Sequence, residues 1–319
     1  FAWSSSMAEP LRWGVLGASS RIYRGKLLAP MQARPGHQVV AEASRTADGS
    51  DAPYAEMLRR PDVDAVYIPL PNDGHRPWIL AALAAGKHVL CEKPLTMSAA
   101  HTEEVFAAAE SAGRVLIEAY MWPHHPRHQV LLAAARAELG ALRSSQGHFS
   151  FMLDRFTDHR FDRRGRGALF DVGIYCLGPA LLLAPRQPVA VAATAVRNQH
   201  GVDVSFSGWL DLGDGATATA VASFESVNRR SLVLVGTHGS ITIESDLAPG
   251  PAEPSTVQVV HRDDSISEHG APGADSYGNM LDQFAAVVAG REAALWGAPE
   301  SRLLARWIEA LHRAAGSDY

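Results

Sequence analysis

Two short segments of the sequence carry residue types that could exchange protons with a small substrate. In LCEKPL, Glu92 and Lys93 follow an apolar run and precede a proline. In ALFDVGIY, Asp171 and Tyr175 are four residues apart and would share one face of a helix, where both can address one substrate hydroxyl. Each segment also has a structural alternative. The first could be a surface ion pair, and the second a helix start with a core tyrosine.

A third segment, GVLGASSRI, predicts an anion-binding turn between a strand and a helix. Backbone N–H groups at such a helix start point at a phosphate. Gly17 holds the first position of the G-x-G-x-x-G pattern, while Ser19 and Ile22 stand where glycines are expected. Ser19 and Ser20 are small enough for close approach and could donate hydroxyl hydrogen bonds. An ordinary strand–helix turn is the alternative.

The end of the second predicted strand favours NADP over NAD. NAD enzymes usually place an acidic residue there to bind the ribose hydroxyls. This chain has Ser44 and Arg45 instead, and Glu42 lies two residues inside the strand from Ser44. A guanidinium can bind a 2′-phosphate through paired hydrogen bonds. An ordinary exposed arginine is the alternative.

The order of predicted elements indicates two domains. Strands such as HQVVAEAS, DAVYIPL, KHVLCEK and RVLIEAY alternate with helices, which predicts a doubly wound parallel sheet. After about Trp122, closely spaced strands predict an α+β domain with an antiparallel or mixed sheet, and APGPAEPSTVQ and HGAPGADS are predicted surface loops. We expect an addition outside the fold at 1–7, a dinucleotide-binding Rossmann domain at 8–122 and a substrate and oligomerisation domain at 123–319.

Composition excludes several partner classes. The 319 residues carry a net charge of −5 without a basic stripe, so nucleic acid and anionic membranes are poor partners. No apolar run approaches the roughly 20 residues of a membrane helix. Cys91 and Cys176 are too few for a disulfide framework, which fits a reducing, cytoplasmic location. His124, His125 and His128 lack the spacing of a convincing metal site, and no metal is predicted.

Taken together, these segments resemble the Gfo/Idh/MocA oxidoreductase family, in the branch with glucose–fructose oxidoreductase, NADP-linked xylose dehydrogenase and dihydrodiol dehydrogenase. The matching stretches run in order across nearly the whole chain: LRWGVLGA, ASR, PDVDAVYIPLPN, AGKHVLCEKPL, EAYMW, GALFDVGIY and LVGTHGSI. The combination of EKP with a later DVGIY is quite specific. The resemblance implies a second domain whose large open, mainly antiparallel sheet often mediates oligomerisation, so we expect a homodimer or homotetramer.

The resemblance also implies an NADP-dependent enzyme that moves a hydride between nicotinamide and a sugar, polyol or related alcohol or carbonyl. With the three residues of the phosphate turn included, the expected cofactor contacts are Gly17, Ser19, Ser20, Ile22, Ser44, Arg45, Leu70, Pro71, Asn72, His75, Glu92 and Lys93. Catalysis would fall to Lys93, Asp171 and Tyr175. We expect the Lys93 ammonium to lower the pKa of Tyr175 and to polarise the reacting oxygen. Asp171 would orient either the substrate hydroxyl or Lys93.

Four departures from the family pattern bear on cofactor and substrate. The phosphate turn has Ser19 and one more residue, and only TADGSDAP separates Arg45 from Tyr54, where relatives usually have a helix and a strand. Pro123 replaces an arginine, and Arg166 interrupts a glycine run. Three functions stay open: a dehydrogenase or reductase that exchanges NADP freely, a sugar–sugar oxidoreductase that retains it, and a non-enzymatic NADP-binding regulator.

Overall fold

The computed structural model describes residues 9–154, 158–244 and 249–316, so the predicted addition at 1–7 lies outside the described residues. The first sheet has five parallel strands in the order β2-β1-β3-β4-β5. These strands are β1 (Leu11–Leu16), β2 (His37–Ala43), β3 (Ala65–Ile68), β4 (His88–Glu92) and β5 (Leu116–Ala119). Strand order reverses between β1 and β3, the place where open α/β sheets bind ligands. The predicted doubly wound sheet is confirmed.

Helices cover both faces of this sheet, because its strands are apolar on both sides. A π-helical turn at Tyr23–Leu27 follows β1, and the four α-helices are α1 (Leu28–Ala33), α2 (Ala52–Leu58), α3 (Asn72–Ala84) and α4 (Ala99–Ala112). The predicted N-cap of α4 is confirmed, since Ser98 Oγ accepts a hydrogen bond from His101 N at 3.2 Å. The turn that closes α4 places Gly113 at φ 59°.

The expectation that TADGSDAP removes the helix between β2 and β3 is wrong. Helix α2 begins at Ala52 and has Pro53 in its first turn, a position that proline favours. Tyr54, Met57 and Leu58 follow at the i, i+3, i+4 spacing of a buried helix face, and all three are buried. The short connection therefore keeps a helix at this edge of the domain.

The second sheet has eight strands in the order β13-β12-β11-β10-β6-β9-β8-β7. Its strands are β6 (Leu142–Met152), β7 (Ala190–Arg197), β8 (Asp203–Gly213), β9 (Ala216–Ser223), β10 (Glu225–Gly236), β11 (Gly239–Glu244), β12 (Ser255–His261) and β13 (Ile266–Ala271). All neighbouring pairs are antiparallel except β6 with β9, which confirms the predicted mainly antiparallel sheet. Helices α5 (Pro126–Glu138), α6 (Ile174–Leu183) and α8 (Ala298–Ala314) pack on one face.

Strands β12 and β13 correct the prediction of surface loops at this sheet edge. Turn-forming residues mark the segment before Ser255, but beyond it Val257 and Val259 are buried and alternate with exposed Gln258. That alternation is typical of a strand with one covered face. The two strands pair in regular antiparallel register, with Val257 opposite His269.

Helix α7 (Ser276–Val288) follows the second sheet in sequence but packs against the first domain. Trp13 and Phe284 have ring centroids 5.0 Å apart. Arg34 binds two carboxylates near α7, Asp275 at 3.1 Å and Asp282 at 2.9 Å. The domain division at residue 122 stays a prediction. Within the described ranges, no helix is long and apolar enough to cross a membrane.

A carboxylate from β8 fixes the start of the helical segment that carries Asp171 and Tyr175. Asp203 is 1% exposed, and its Oδ2 accepts a hydrogen bond from Leu169 N at 2.7 Å. This N–H belongs to the first helical turn, where donors lack partners inside the helix. Gly167, at φ 84°, allows the close approach, because a Cβ there would lie 2.7 Å from Asp203 Oδ1.

Burial raises the pKa of Asp203 to about 6, above the value of about 3.9 for an unfolded chain. The folded state therefore binds this proton more tightly, so the contribution of Asp203 to stability falls as pH rises from about 4 through 6. The total change is up to about 3 kcal/mol. Asp203→Asn keeps an acceptor for Leu169 N but cannot titrate.

We expect urea midpoints of wild type, relative to Asp203→Asn, to be higher at pH 5 than at pH 7.5. The difference between the two proteins cancels the other groups that titrate in this range. Parallel pH profiles for wild type and variant would contradict the assignment.

Candidate active site

The carboxyl end of β4 places a carboxylate and an ammonium at the edge where ligands bind. Glu92 is buried, and its Oε1 accepts a hydrogen bond from Tyr67 Oη at 2.7 Å. Lys93 follows at the strand end, and 13% of its side chain is exposed. The Lys93 ammonium reaches Asp171, while Glu92 faces the interior.

The carboxylate of Asp171, in the second domain, contacts two cationic side chains. Its Oδ1 lies 2.8 Å from Lys93 Nζ, which also donates to the Asp171 carbonyl at 2.6 Å. Its Oδ2 lies 2.8 Å from Arg160 Nε. Burial opposes ionisation of Asp171, but the charges of Lys93 and Arg160 outweigh it and lower its pKa to about 2. The carboxylate is thus ionised at neutral pH and orients Lys93.

Tyr175 lies beside this cluster in an aromatic wall. Its ring centroid is 5.4 Å from that of Tyr120 and 5.6 Å from that of Phe149, and Lys93 Nζ lies 5.3 Å from its centre. Burial raises the pKa of Tyr175, and the negative charge of Glu92 raises it further. The phenol is therefore neutral at physiological pH.

The expectation that Lys93 lowers the pKa of Tyr175 is wrong for this structure. The ammonium is bound to the Asp171 carboxylate, which compensates its charge, and it lies over the ring face. Arg160 acts against the rise in pKa. In this arrangement Tyr175 holds a proton that it can give to a reacting oxygen.

The structure adds Arg160 and Tyr277 to the residues predicted for this site. Tyr277 lies in the first turn of α7; burial raises its pKa, and Tyr175 and Glu92 raise it further, which places its phenol within their field. Arg160 lies in a loop with several arginines and no periodic pattern. Neither position carries a local sequence signal that would distinguish it from an ordinary surface or core residue.

The turn after β1 fits a dinucleotide phosphate. Gly17 has φ 109°, and a Cβ there would lie 2.9 Å from Leu70 Cδ2. Gly17 N and Ala18 N both donate to Ala43 O at 2.9 Å, which ties the turn to the end of β2. The helix begins just after Ser20, and its first N–H groups can bind an anion. The predicted contacts with accessible surface here are Ser19, Ser20, Ile22, Ser44, Leu70 and Pro71.

Arg45 lies next to this turn with half of its side chain exposed. Its Nε is 3.7 Å from Asp51 Oδ1, so the two side chains form an ion pair. Asp48 accepts hydrogen bonds from Thr46 and Ser50 inside its own turn. The exposed pair with Asp51 is worth little, and a 2′-phosphate can replace it.

Two predicted cofactor contacts are held by the protein itself. His75 is fully buried, with Nδ1 2.9 Å from Pro94 O and Nε2 2.8 Å from Leu70 O. Asn72 Nδ2 donates to Gly165 O at 2.8 Å. His75 thus holds the backbone at Leu70, and Asn72 holds the backbone at Gly165.

Two of the three neighbouring histidines have structural contacts through their side chains. His125 caps α5 by accepting from Arg127 N at 3.0 Å, and His128 stacks on Trp122 with centroids 3.9 Å apart. Burial lowers the pKa of His124 to about 4. No group of ligating side chains suited to a metal ion occurs in the described part of the chain.

Family models match both halves of the chain. Residues 11–120 match an oxidoreductase family with an NAD-binding Rossmann fold, and residues 130–242 match the GFO/IDH/MocA C-terminal domain. The chain belongs to the Gfo/Idh/MocA family. A D-xylose 1-dehydrogenase (NADP(+)) from Haloferax volcanii is 34% identical over 86% of each chain.

A second relative is a dTDP-3,4-didehydro-2,6-dideoxy-alpha-D-glucose 3-reductase from Actinomadura kijaniata, 32% identical over 98% of each chain. Among solved structures, the 3-ketoreductase KijD10 from Actinomadura kijaniata, in complex with NADP and TDP-benzene, superimposes with a TM-score of 0.86. It is 30% identical, over 96% of this chain and 98% of that one. These relatives confirm the predicted enzyme class, an NADP-dependent oxidoreductase that acts on a CH–OH or carbonyl group of a sugar-like molecule.

The environment of Arg45 predicts the cofactor preference. A charge-assisted pair between Arg45 and a 2′-phosphate contributes about 1.5–3 kcal/mol, equal to a preference for NADPH over NADH of roughly 10- to 150-fold. Arg45→Ala should remove most of it, and higher salt should weaken it in wild type. Fluorescence titration of both cofactors at two salt concentrations measures this. Equal affinities in wild type, or no change in the variant, would exclude the role.

Proposed function

We propose that this chain uses NADPH to reduce a carbonyl of a sugar or sugar-derived ketone, and that it catalyses the reverse oxidation at higher pH. One observation supports this most directly: Lys93, Asp171 and Tyr175 meet at the carboxyl end of β4, and the phenol is protonated. The nicotinamide, when bound, supplies or accepts the hydride. A cluster of this kind favours an enzyme over a regulator that only binds NADP.

Each of the three side chains has one role in the proposal. Lys93 donates a hydrogen bond to the reacting oxygen and stabilises the negative charge that forms there. Tyr175 gives its proton to that oxygen, because an alkoxide is a far stronger base than a phenolate. Asp171 binds the Lys93 ammonium and orients it. In the oxidative direction the same groups run backwards, with Tyr175 accepting the proton.

The test is NADPH consumption and NADP reduction over a panel of aldoses, ketoses, polyols and nucleotide-linked ketosugars. Lys93→Met and Tyr175→Phe should lower turnover by about 10²- to 10⁴-fold with the best substrate, while NADPH affinity changes little. Near-wild-type turnover in both variants would remove these residues from the mechanism. NADPH binding without turnover on the whole panel would support the non-enzymatic alternative, and NADP that stays bound through purification would support the sugar–sugar alternative.

The second sheet suggests how copies of the chain associate. Its helix-free face carries a row of residues related by the register, Trp209, Thr219, Gln146, Val233 and Thr242. This row is uncharged and mixes apolar with small polar side chains, so two identical faces can meet without like-charge repulsion. We propose a homodimer through this face.

Cys91 and Cys176 are free thiols, in keeping with a cytoplasmic location.

Light scattering after size exclusion at micromolar concentration should give twice the monomer mass. Thr219→Arg places a charge in the centre of the row and should shift the protein to the monomer. Gln199→Arg, on an exposed loop away from this face, adds the same charge as a control. A wild-type monomer, or a Thr219→Arg dimer, would contradict the interface.

A further inference from the structure

The segment 158–167, called here the arginine loop, carries Arg160 into the active site from the second domain. Asp158 caps the short turn His159–Phe161 by accepting from Arg160 N at 3.1 Å, and its Oδ2 lies 3.2 Å from the Arg160 guanidinium. Asn198 Nδ2 donates to Phe161 O at 2.8 Å. The guanidinium is therefore oriented by its own loop as well as by Asp171.

The arginine loop also contacts the first domain beside the cofactor edge. Gly165 O accepts from Asn72 Nδ2 at 2.8 Å, and Arg164 O accepts from Asp73 N at 3.3 Å. Arg166 donates to Met97 O at 2.5 Å. These contacts lie just after β3 and β4, so the position of the loop depends on the strand ends that form the cofactor edge.

The backbone at Arg160 packs tightly against Gly165. A Cβ at Gly165 would lie 2.6 Å from Arg160 Cα and 2.5 Å from His159 O. Any side chain at residue 165 would displace the backbone that carries Arg160. The loop thus requires glycine there for Arg160 to reach Asp171.

We propose that Arg160 is a positioning residue of the reaction: it holds the Asp171 carboxylate from the side opposite Lys93, so that Lys93 and Tyr175 keep the geometry in which they act together. This rests on the proposed function. Without Arg160, a single cation would hold a buried carboxylate, which could rotate with its lysine away from the reacting oxygen. A displacement of about 1 Å can lower a rate by about 100-fold.

The charge of Arg160 also affects the pKa of Tyr175. Several titratable or charged groups face Tyr175, and Arg160 is one of them. These groups are Glu92, Lys93, Glu118, Tyr120, Arg160, Asp171 and Tyr277. Among them Arg160 lowers the pKa of Tyr175, whereas Glu92 and Asp171 raise it. Loss of Arg160 should therefore raise the pKa of Tyr175 further.

The experiment compares Arg160→Met, Arg160→Lys and the matched control Arg164→Met in the full chain. Arg164 belongs to the same loop and pairs with Asp162 at 2.6 Å, and half of its side chain is exposed. We expect kcat to fall about 100-fold in Arg160→Met, with KM and NADPH affinity within about threefold. Arg160→Lys should recover part of kcat, and Arg164→Met should match wild type.

Gly165→Ala is a second variant that displaces Arg160 without removing charge, and it should lower kcat in the same direction. A kcat for Arg160→Met within threefold of wild type would overturn the proposal, as would an equal loss in Arg164→Met. If Lys93→Met is also fully active, the proposed function itself fails, which separates the two results. Circular dichroism and NADPH binding establish that each variant is folded.

Discussion

Burying the carboxylate of Asp171 at the junction of two domains requires positive charge from both of them. A buried carboxylate without partners is costly, and removal of one partner from a buried pair is strongly destabilising. Here Lys93 comes from the end of β4 and Arg160 from the arginine loop, and their charges outweigh burial. The relative position of the domains therefore sets the electrostatics of the site. Helix α7, which follows the second sheet in sequence, is bound to the first domain through Arg34.

The same carboxylate determines what Tyr175 can do. Negative charge from Asp171 and Glu92 adds to burial in keeping the phenol protonated, so the site is prepared to give a proton rather than to take one. The backbone supports this arrangement: Arg166 and Gly167 both have positive φ, and they lead directly into the helical turn capped by Asp203. Arg166 is strained there, since a side chain disfavours this conformation. Its contact with Met97 O offsets part of that cost.

Sequence motifs predicted the elements and the central residues because each depends on local chemistry. Lys93 follows a strand and Tyr175 lies on a helix, and strand ends of a parallel sheet meet at one edge. Arg160 could not be predicted, because its role depends on the position of its loop. Backbone carbonyls of that loop accept hydrogen bonds from the first domain, and such contacts place no constraint on the residue type. The predictions at helix α2 and at strands β12 and β13 were wrong for a different reason. Nearby Pro, Gly and Asp dominated the composition, while the apolar spacing of Tyr54 and Val257 carried the correct signal.

A hydrogen bond from Asn72 links the edge proposed for the cofactor to the arginine loop. This residue follows Pro71 at the cofactor edge, yet its amide binds the carbonyl of Gly165 in the arginine loop. His75 holds the same edge from inside through Leu70 O. Asn72 therefore connects the edge proposed for the cofactor with the loop whose Arg160 holds Asp171, and Asp171 in turn holds Lys93.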